Sequence, residues 1–339
     1  TVTEYTILET PDLGIPTVFG NFNLLQTSTL FTYGLTYFNN RVVLRALKLD
    51  FPILEGNPEI VLNYIESLIF DVPPTSDLGI VITSLTDLFT DIPALTYALN
   101  QLCSVATSDL RWVLFDQREA AQGAIDQVQK KRRALVSRQC KPIYCEHSLG
   151  KENGHVWIQP YGQFYDQPSE GLFPGVNANT AGVSAGLDGL LNVQWLLGAC
   201  GGGAGTWFDW TQNYGHGSLS TYYFGLYSSF VYDKFYADLS AMYGKSWIHT
   251  KRTIAFIDRT AKGLHRSDGL SEGLEIGYEW DYRAHCLQPF FNLSFYQLKE
   301  TPYLEEGAGS INLNVSGNHT NFYRTELGFL WARSFDLGC

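Results

Sequence analysis

Phe235-Tyr-Ala-Asp-Leu-Ser-Ala-Met-Tyr-Gly244-Lys-Ser-Trp247 decides the fold. With a period of two, Phe235, Ala237, Leu239, Ala241, Tyr243 and Trp247 fall on one face, and Tyr236, Asp238, Ser240, Gly244 and Ser246 on the other. The pattern recurs downstream. Leu274, Ile276, Tyr278, Trp280 and Tyr282 oppose Ser271, Gly273, Glu275, Gly277, Glu279 and Asp281. Leu287, Pro289, Phe291, Leu293 and Phe295 oppose Gln288, Asn292, Ser294 and Tyr296. Tyr323, Thr325, Leu327, Phe329 and Trp331 oppose Arg324, Glu326 and Gly328. A soluble sandwich also alternates, but its outward residues are mostly charged and its aromatics point inward. Here one face is small and polar with isolated carboxylates, and the other is apolar with Tyr and Trp toward the strand ends. That arrangement suits lipid outside, a polar lumen inside and aromatic girdles at the interfaces.

Working outward, such strands are expected near 155–166, 177–190, 192–206, 218–232, 234–251, 269–283, 285–299 and 309–335, about eight in all. Long connections are expected over 208–217 and 253–269. Upstream the period changes. Asn57-Pro58-Glu59 opens a helical segment carrying Val61, Ile65 and Leu68 on one stripe. Ser76-Asp77 opens a second with Ile82, Leu85 and Phe89, and Asp91-Ile-Pro93 a third with Leu95, Ala98, Leu99 and Leu102. Ser108-Asp109 starts a long helix whose second half is basic. Residues 1–51 look strand-like, in runs at 17–24, 28–37 and 40–50, too few to close a sandwich alone.

Composition agrees. The 339 residues hold 14% aromatic and 17% charged side chains with a net charge of −11, which argues against disorder and against whole-chain nucleic-acid binding. No apolar run approaches the ~18–20 residues of a membrane-spanning helix, which says nothing of strands. Enzymatic signals are weak. Gly182-Val-Ser184-Ala-Gly186 has the letters of a nucleophile elbow but lies inside one alternating strand with no helix after it. Gly201-Gly-Gly-Ala-Gly205 lacks dinucleotide-loop spacing. The seven histidines are scattered, and Cys140-x4-Cys145 is a poor zinc spacing that reads as a local disulfide or unpaired thiols. Asn292, Asn314 and Asn318 head glycosylation triplets, the first two on expected strands. No catalytic residue, metal or cofactor is expected.

The order of elements resembles the C-terminal part of a type V autotransporter. Asn57-Pro58 through Leu95-Thr-Tyr-Ala-Leu-Asn-Gln-Leu102 resembles that family's junction between passenger and barrel. Val156-Trp-Ile-Gln-Pro-Tyr-Gly162 is similar to its first barrel strand and Asn179-Thr-Ala-Gly-Val-Ser-Ala-Gly-Leu-Asp188 to the second. Tyr222-Tyr-Phe-Gly-Leu-Tyr-Ser-Ser-Phe230 resembles the fourth, and Phe235 to Gly244 the fifth. Leu287-Gln-Pro-Phe290 with Tyr303-Leu-Glu-Glu-Gly-Ala308 resembles the seventh and Arg324-Thr-Glu-Leu-Gly328 the eighth.

The resemblance implies a mainly β protein: an antiparallel transmembrane barrel with about eight of twelve strands present, after a helical linker and a short β-solenoid end. The implied domains are 1–55, the end of a passenger β-helix; 56–150, helical linker and lumenal plug; and 151–339, the barrel. About four closing strands and a terminal aromatic would follow, so the sequence is expected to be a fragment. The implied function is an outer-membrane translocator that exports and anchors its own passenger at the bacterial cell surface. Implied partners are outer-membrane lipid, the barrel-insertion machinery and the passenger. A porin-like channel is the alternative, and a soluble all-β binding module a more distant one.

In the family the helix before the first strand lies inside the barrel. Here that segment carries Lys130, Lys131, Arg132, Arg133 and Arg138, with Arg118 and Lys141 beside them. Opposite charge on the wall would come from Asp188, Asp238, Glu275, Glu279, Asp281 and Glu326.

Overall fold

The structure, a computed structural model, describes residues 2–9, 31–37, 41–48, 54–68, 72–73, 75–103, 109–136, 154–171, 173–282 and 285–333. They form two compact units. The first comprises Thr1–Cys103 with Ile254–Arg259 and Ala308–Ile311; the second comprises the remainder.

In the first unit, β1 (Val2–Glu9), β2 (Phe31–Tyr37) and β3 (Arg41–Lys48) form a sheet ordered β1-β3-β2. Both pairings are antiparallel, with Glu4 opposite Arg45 and Leu35 opposite Leu44. Rungs of a solenoid stack in parallel, whereas these three strands pair antiparallel. A parallel connection needs a dozen or more residues, and only 38–40 separate β2 from β3. The run expected at 17–24 lies outside the described residues.

Three helices follow: α1 (Asn57–Leu68), α2 (Asp77–Thr86) and α3 (Ile92–Gln101). Ser76 caps α2 by accepting from the Gly79 amide at 3.1 Å, and Asp91 caps α3 through the Ala94 amide at 3.1 Å. Each is too short to persist alone. They share an apolar cluster built on Leu62, Ile65, Val81, Leu85, Leu95 and Leu99, joined by Phe256, Ile257 and Ile311 from two hairpin tips. Full burial of each aliphatic side chain contributes about 1.5–3 kcal/mol.

The tips are also held by polar groups. The Asp77 carboxylate accepts from Arg259 at 2.6 and 3.1 Å and from the Ser310 amide at 2.7 Å, while Gln101 Oε1 accepts from the Ala255 amide at 2.9 Å. The Arg259 guanidinium, with the Ser310 amide, holds the Asp77 carboxyl well below the usual carboxylate range. A depressed pKa contributes stability above the unfolded carboxylate value and loses it only as pH falls through the folded value. We therefore expect the α2 attachment to survive at pH 4, and Asp77→Ala to raise proteolysis within α2 several-fold at neutral pH, read by peptide mapping. Equal cleavage in both forms would contradict the role given to Asp77.

The second unit is dominated by one antiparallel sheet. Its strands are β4 (Gly154–Gln167), β5 (Val176–Leu190), β6 (Trp195–Trp210), β7 (Gly215–Tyr232), β8 (Phe235–Ile254), β9 (Arg259–Tyr278) with its continuation β10 (Trp280–Tyr282), β11 (His285–Glu300) and β14 (Asn318–Arg333). The order is β10-β11-β9-β8-β7-β6-β5-β4, with β14 on β11. These eight long strands curl into a half-barrel. Two short strands, β12 (Tyr303–Leu304) and β13 (Asn314–Val315), pair within the β11–β14 connection.

The strands are longer than the sequence suggests. The connection expected over 208–217 shrinks to 211–214, and that over 253–269 to 255–258. His265 and Ser267 give the second stretch a loop-like polarity, yet both are buried on the inner face, as are Thr250 and Arg252 just before it. The connection between β11 and β14 explains part of this. Glu305 is buried against Arg252, with contacts of 3.1 and 2.5 Å, and also accepts from the Leu313 amide at 2.9 Å. Tyr303 stacks on His265, ring centroids 4.3 Å apart.

Alternation follows the expected faces. Val156, Ile158, Phe164, Leu187, Phe224, Leu226, Leu239 and Leu327 point outward and exposed, whereas Ser184, Thr206, Thr221, Ser240, Ser246 and Ser271 are buried inward. The glycines of the elbow-like motif have a packing reason. The Tyr161 ring lies over Gly182 and the Trp157 ring over Gly186, so a Cβ at either would overlap the ring. Ser184 shares a 2.6 Å hydrogen bond with Tyr223 and sits in mid-strand. Gly182→Val should displace Tyr161 and cost about 1–3 kcal/mol by overpacking, measurable as a lower unfolding midpoint; an unchanged midpoint would refute that packing role.

Candidate functional site

The second unit also contains α4 (Leu110–Val136), and its contacts with the inner sheet face define the candidate site. Within α4, the apolar Ala121, Ile125 and Val128 are buried with Trp157, Tyr223, Tyr227 and Met242. No helix of the described residues is long and apolar enough to cross a membrane.

Neutral polar residues provide one set of links. Gln117 donates to Thr206 at 2.8 Å and accepts from Thr221. Gln122 donates to Ser240 at 2.5 Å and to Asp126 at 2.9 Å. Gln129 donates to the carbonyls of Ser228 and Leu239 at 3.1 and 3.3 Å. Arg118 is almost wholly buried and donates to the carbonyls of Gly244 and Gly269 at 2.9 and 3.3 Å.

Ion pairs provide the other set, at the C-terminal end of α4. Lys130 lies 2.8 Å from Glu275, and Arg132 lies 2.8 Å from Asp188. Arg133 pairs with Asp238, lies 3.8 Å from Glu275 and rests 3.4 Å above the Tyr236 ring. Tyr227 donates to the second Asp188 oxygen at 2.9 Å and itself accepts from Trp157 at 2.7 Å. Asp188 thus has a neutral donor as well as a cation, and so does Glu275, which accepts from the Tyr236 hydroxyl at 3.1 Å.

The remaining sequence candidates are placed differently. Lys131 is exposed on α4. Glu279 is buried near the β8 turn, its amide donating to the Lys234 carbonyl at 2.7 Å. Asp281 lies on β10, opposite Cys286. Glu326 is half exposed and lies 3.9 Å from Arg324 rather than against the basic end of α4. Arg138 and Lys141 lie outside the described residues, as do Cys140 and Cys145. Cys286 is disulfide-bonded, and the buried Cys200 thiol donates to the Gly225 carbonyl at 3.7 Å.

The Glu119–Arg324 pair and the polar anchors along α4 are not among the residues expected from the sequence. A signal for the anchors was present: Arg118, Gln122, Gln129 and Arg133 recur at helical spacing on one stripe. Among the described residues, no group of three His, Cys, Asp or Glu side chains is arranged to hold a metal ion.

A curled antiparallel sheet with an apolar exterior, a polar interior and a helix bonded to that interior defines the class of membrane-barrel proteins. The family model described as the autotransporter beta-domain matches residues 156–338, and the chain belongs to that family.

The chain is 26% identical over 185 residues to outer membrane protein B of Rickettsia japonica and 27% identical over 179 residues to that of Rickettsia typhi. These matches cover 51% and 49% of this chain and 11% of each relative. Among solved structures, the translocator domain of the autotransporter NalP from Neisseria meningitidis aligns with a TM-score of 0.47 and 14% identity, covering 62% of this chain and 70% of that one. The beta domain of the Bordetella autotransporter BrkA aligns with a TM-score of 0.43 and 18% identity, covering 55% and 74%.

Proposed function

We propose that this chain exports its own N-terminal passenger and anchors it, with α4 as a fixed plug. Residues 1–55 would be the passenger's end, 56–150 the connecting helices and plug, and 151–339 the barrel wall. The observation that supports this best is the ion-paired end of α4, where Lys130, Arg132 and Arg133 meet Glu275, Asp188 and Asp238. Charges in a narrow lumen are costly unless paired, so helix and wall carry matching sets. Outer-membrane lipid would contact the apolar exterior, and barrel-insertion machinery would receive the unfolded strands. Catalysis, a cofactor and nucleic acid have no part in this reading.

Planar-bilayer conductance of the full-length protein tests it. The plug reading predicts a small wild-type conductance that rises several-fold in Arg132→Ala/Arg133→Ala. A large wild-type conductance unaffected by that pair of substitutions would favour a porin-like channel. Surface protease should also remove the N-terminal segment from intact cells while leaving the barrel.

A further inference from the structure

The exterior of β8, β9 and β11 bears a cluster of cations that the plug does not use. Along β8 the outward positions read Tyr243, Lys245, Trp247, His249 and Lys251, alternating with buried residues. On β9 the outward positions include Lys262, Arg266 and Asp268, and on β11 Lys299 lies opposite Asp268. Lys251 and Lys262 are placed symmetrically about the hairpin tip, three residues before Ile254 and three after Arg259. Like charges facing each other across a hairpin are destabilising by themselves.

The acidic neighbours do not cancel the cluster. Asp268 is shared between Lys245, at 3.6 Å, and the Tyr243 hydroxyl, at 2.8 Å. Asp209 lies opposite His216, itself opposite Lys251, and Glu306 pairs through its backbone with Lys262. Five Lys or Arg side chains thus face three carboxylates on one exterior patch of a chain whose net charge is −11. At the opposite strand ends, outward positions of β5 to β9 hold Trp195, Tyr232, Phe235 and Tyr278, with Lys234 confined to the turn.

The patch also sits at a defined height. Tyr222 and Trp247 contact each other at 5.9 Å, and Phe224 and Tyr243 at 5.9 Å, marking an aromatic girdle. Lys251, Lys262 and Arg266 lie at or beyond it toward the 255–258 tip, where long cationic side chains reach headgroups while their stems stay in the apolar band. At this end of the wall Glu300, opposite Ser267, lies 3.7 Å from Arg111 at the N-terminal end of α4, the end that leads back to the passenger. If the passenger lies outside the cell, as the proposed function has it, this is the outer-leaflet end.

We propose that Lys251, Lys262 and Arg266, flanked by His249, Lys245 and Lys299, bind the phosphate groups of an outer-leaflet glycolipid. Basic patches at this depth recognise anionic headgroups through charge and donor geometry. Such a lipid would offset the repulsion between Lys251 and Lys262 and fix the barrel's height in the membrane.

The test uses the full-length protein folded into phosphatidylcholine vesicles containing either bis-phosphorylated lipid A or its dephosphorylated form. After mild detergent extraction, lipid retained per folded barrel is counted by native mass spectrometry. Folding is scored separately by the heat-dependent shift in electrophoretic mobility, which tests the barrel independently of lipid. The expected result is selective retention of phosphorylated lipid A, reduced about a hundredfold in Lys251→Gln/Lys262→Gln/Arg266→Gln and unchanged in Lys234→Gln. Inorganic phosphate alone should not displace it. Equal retention of both lipids, or undiminished retention by the folded triple variant, would overturn the proposal. Should the triple variant fail to fold, Lys262→Gln alone must show a partial loss.

Discussion

Arg133→Ala should be the most damaging single substitution in the lumen. It removes the guanidinium that pairs with Asp238, faces Glu275 and rests on Tyr236, leaving two buried carboxylates with less compensation. Breaking a buried pair from one side costs about 3–5 kcal/mol, and loss of the cation–π contact adds to it. The expected readout is a markedly lower temperature for conversion from the compact to the extended electrophoretic form. Arg133→Met/Asp238→Leu should recover much of the loss, because removing both charges removes the uncompensated one. A single variant as heat-stable as wild type would show that the pair does not hold the helix.

Gly269→Val should have the second largest effect, through shape rather than charge. A Cβ at Gly269 would overlap the Arg118 guanidinium, and one at Gly244 would crowd it as well. Arg118 has no slack, since its hydrogen bonds run to the carbonyls of those same glycines. Displacing it should cost about 1–3 kcal/mol by overpacking, plus the penalty of a buried cation cut off from its acceptors. Arg118→Ala in the Gly269→Val background should restore part of the stability, whereas Arg118→Ala alone should weaken the protein. Additive losses in the double variant would place Arg118 elsewhere.

These two residues also show what was legible in the sequence. Period-two alternation from Phe235 onward identified the wall, because outward apolar and inward small polar residues repeat within each strand. The same alternation sorted Asp188, Asp238 and Glu275 onto the inner face, and the basic run supplied Lys130, Arg132 and Arg133. What it could not supply was pairing. Which cation meets which carboxylate depends on the rotation of α4 and on strand register, and no local pattern encodes either. Arg118 illustrates this, since its acceptors are backbone carbonyls of two glycines more than a hundred residues away.

Strand ends are hidden for a related reason. His265 reads as a loop residue because its partner, Tyr303, comes from a distant connection. The antiparallel pairing of β2 with β3 was available from their short connection, but a strand-like composition does not reveal pairing direction.

The most direct test of the central claim is site-specific photo-crosslinking from α4 in intact outer membranes. With a photoreactive residue replacing Gln122, whose amide lies 2.5 Å from Ser240 and beside Gly273, the account predicts intramolecular cross-links to peptides of β8 and β9. Cross-links to lipid, to other proteins or to none of the wall strands would mean that α4 does not occupy the lumen.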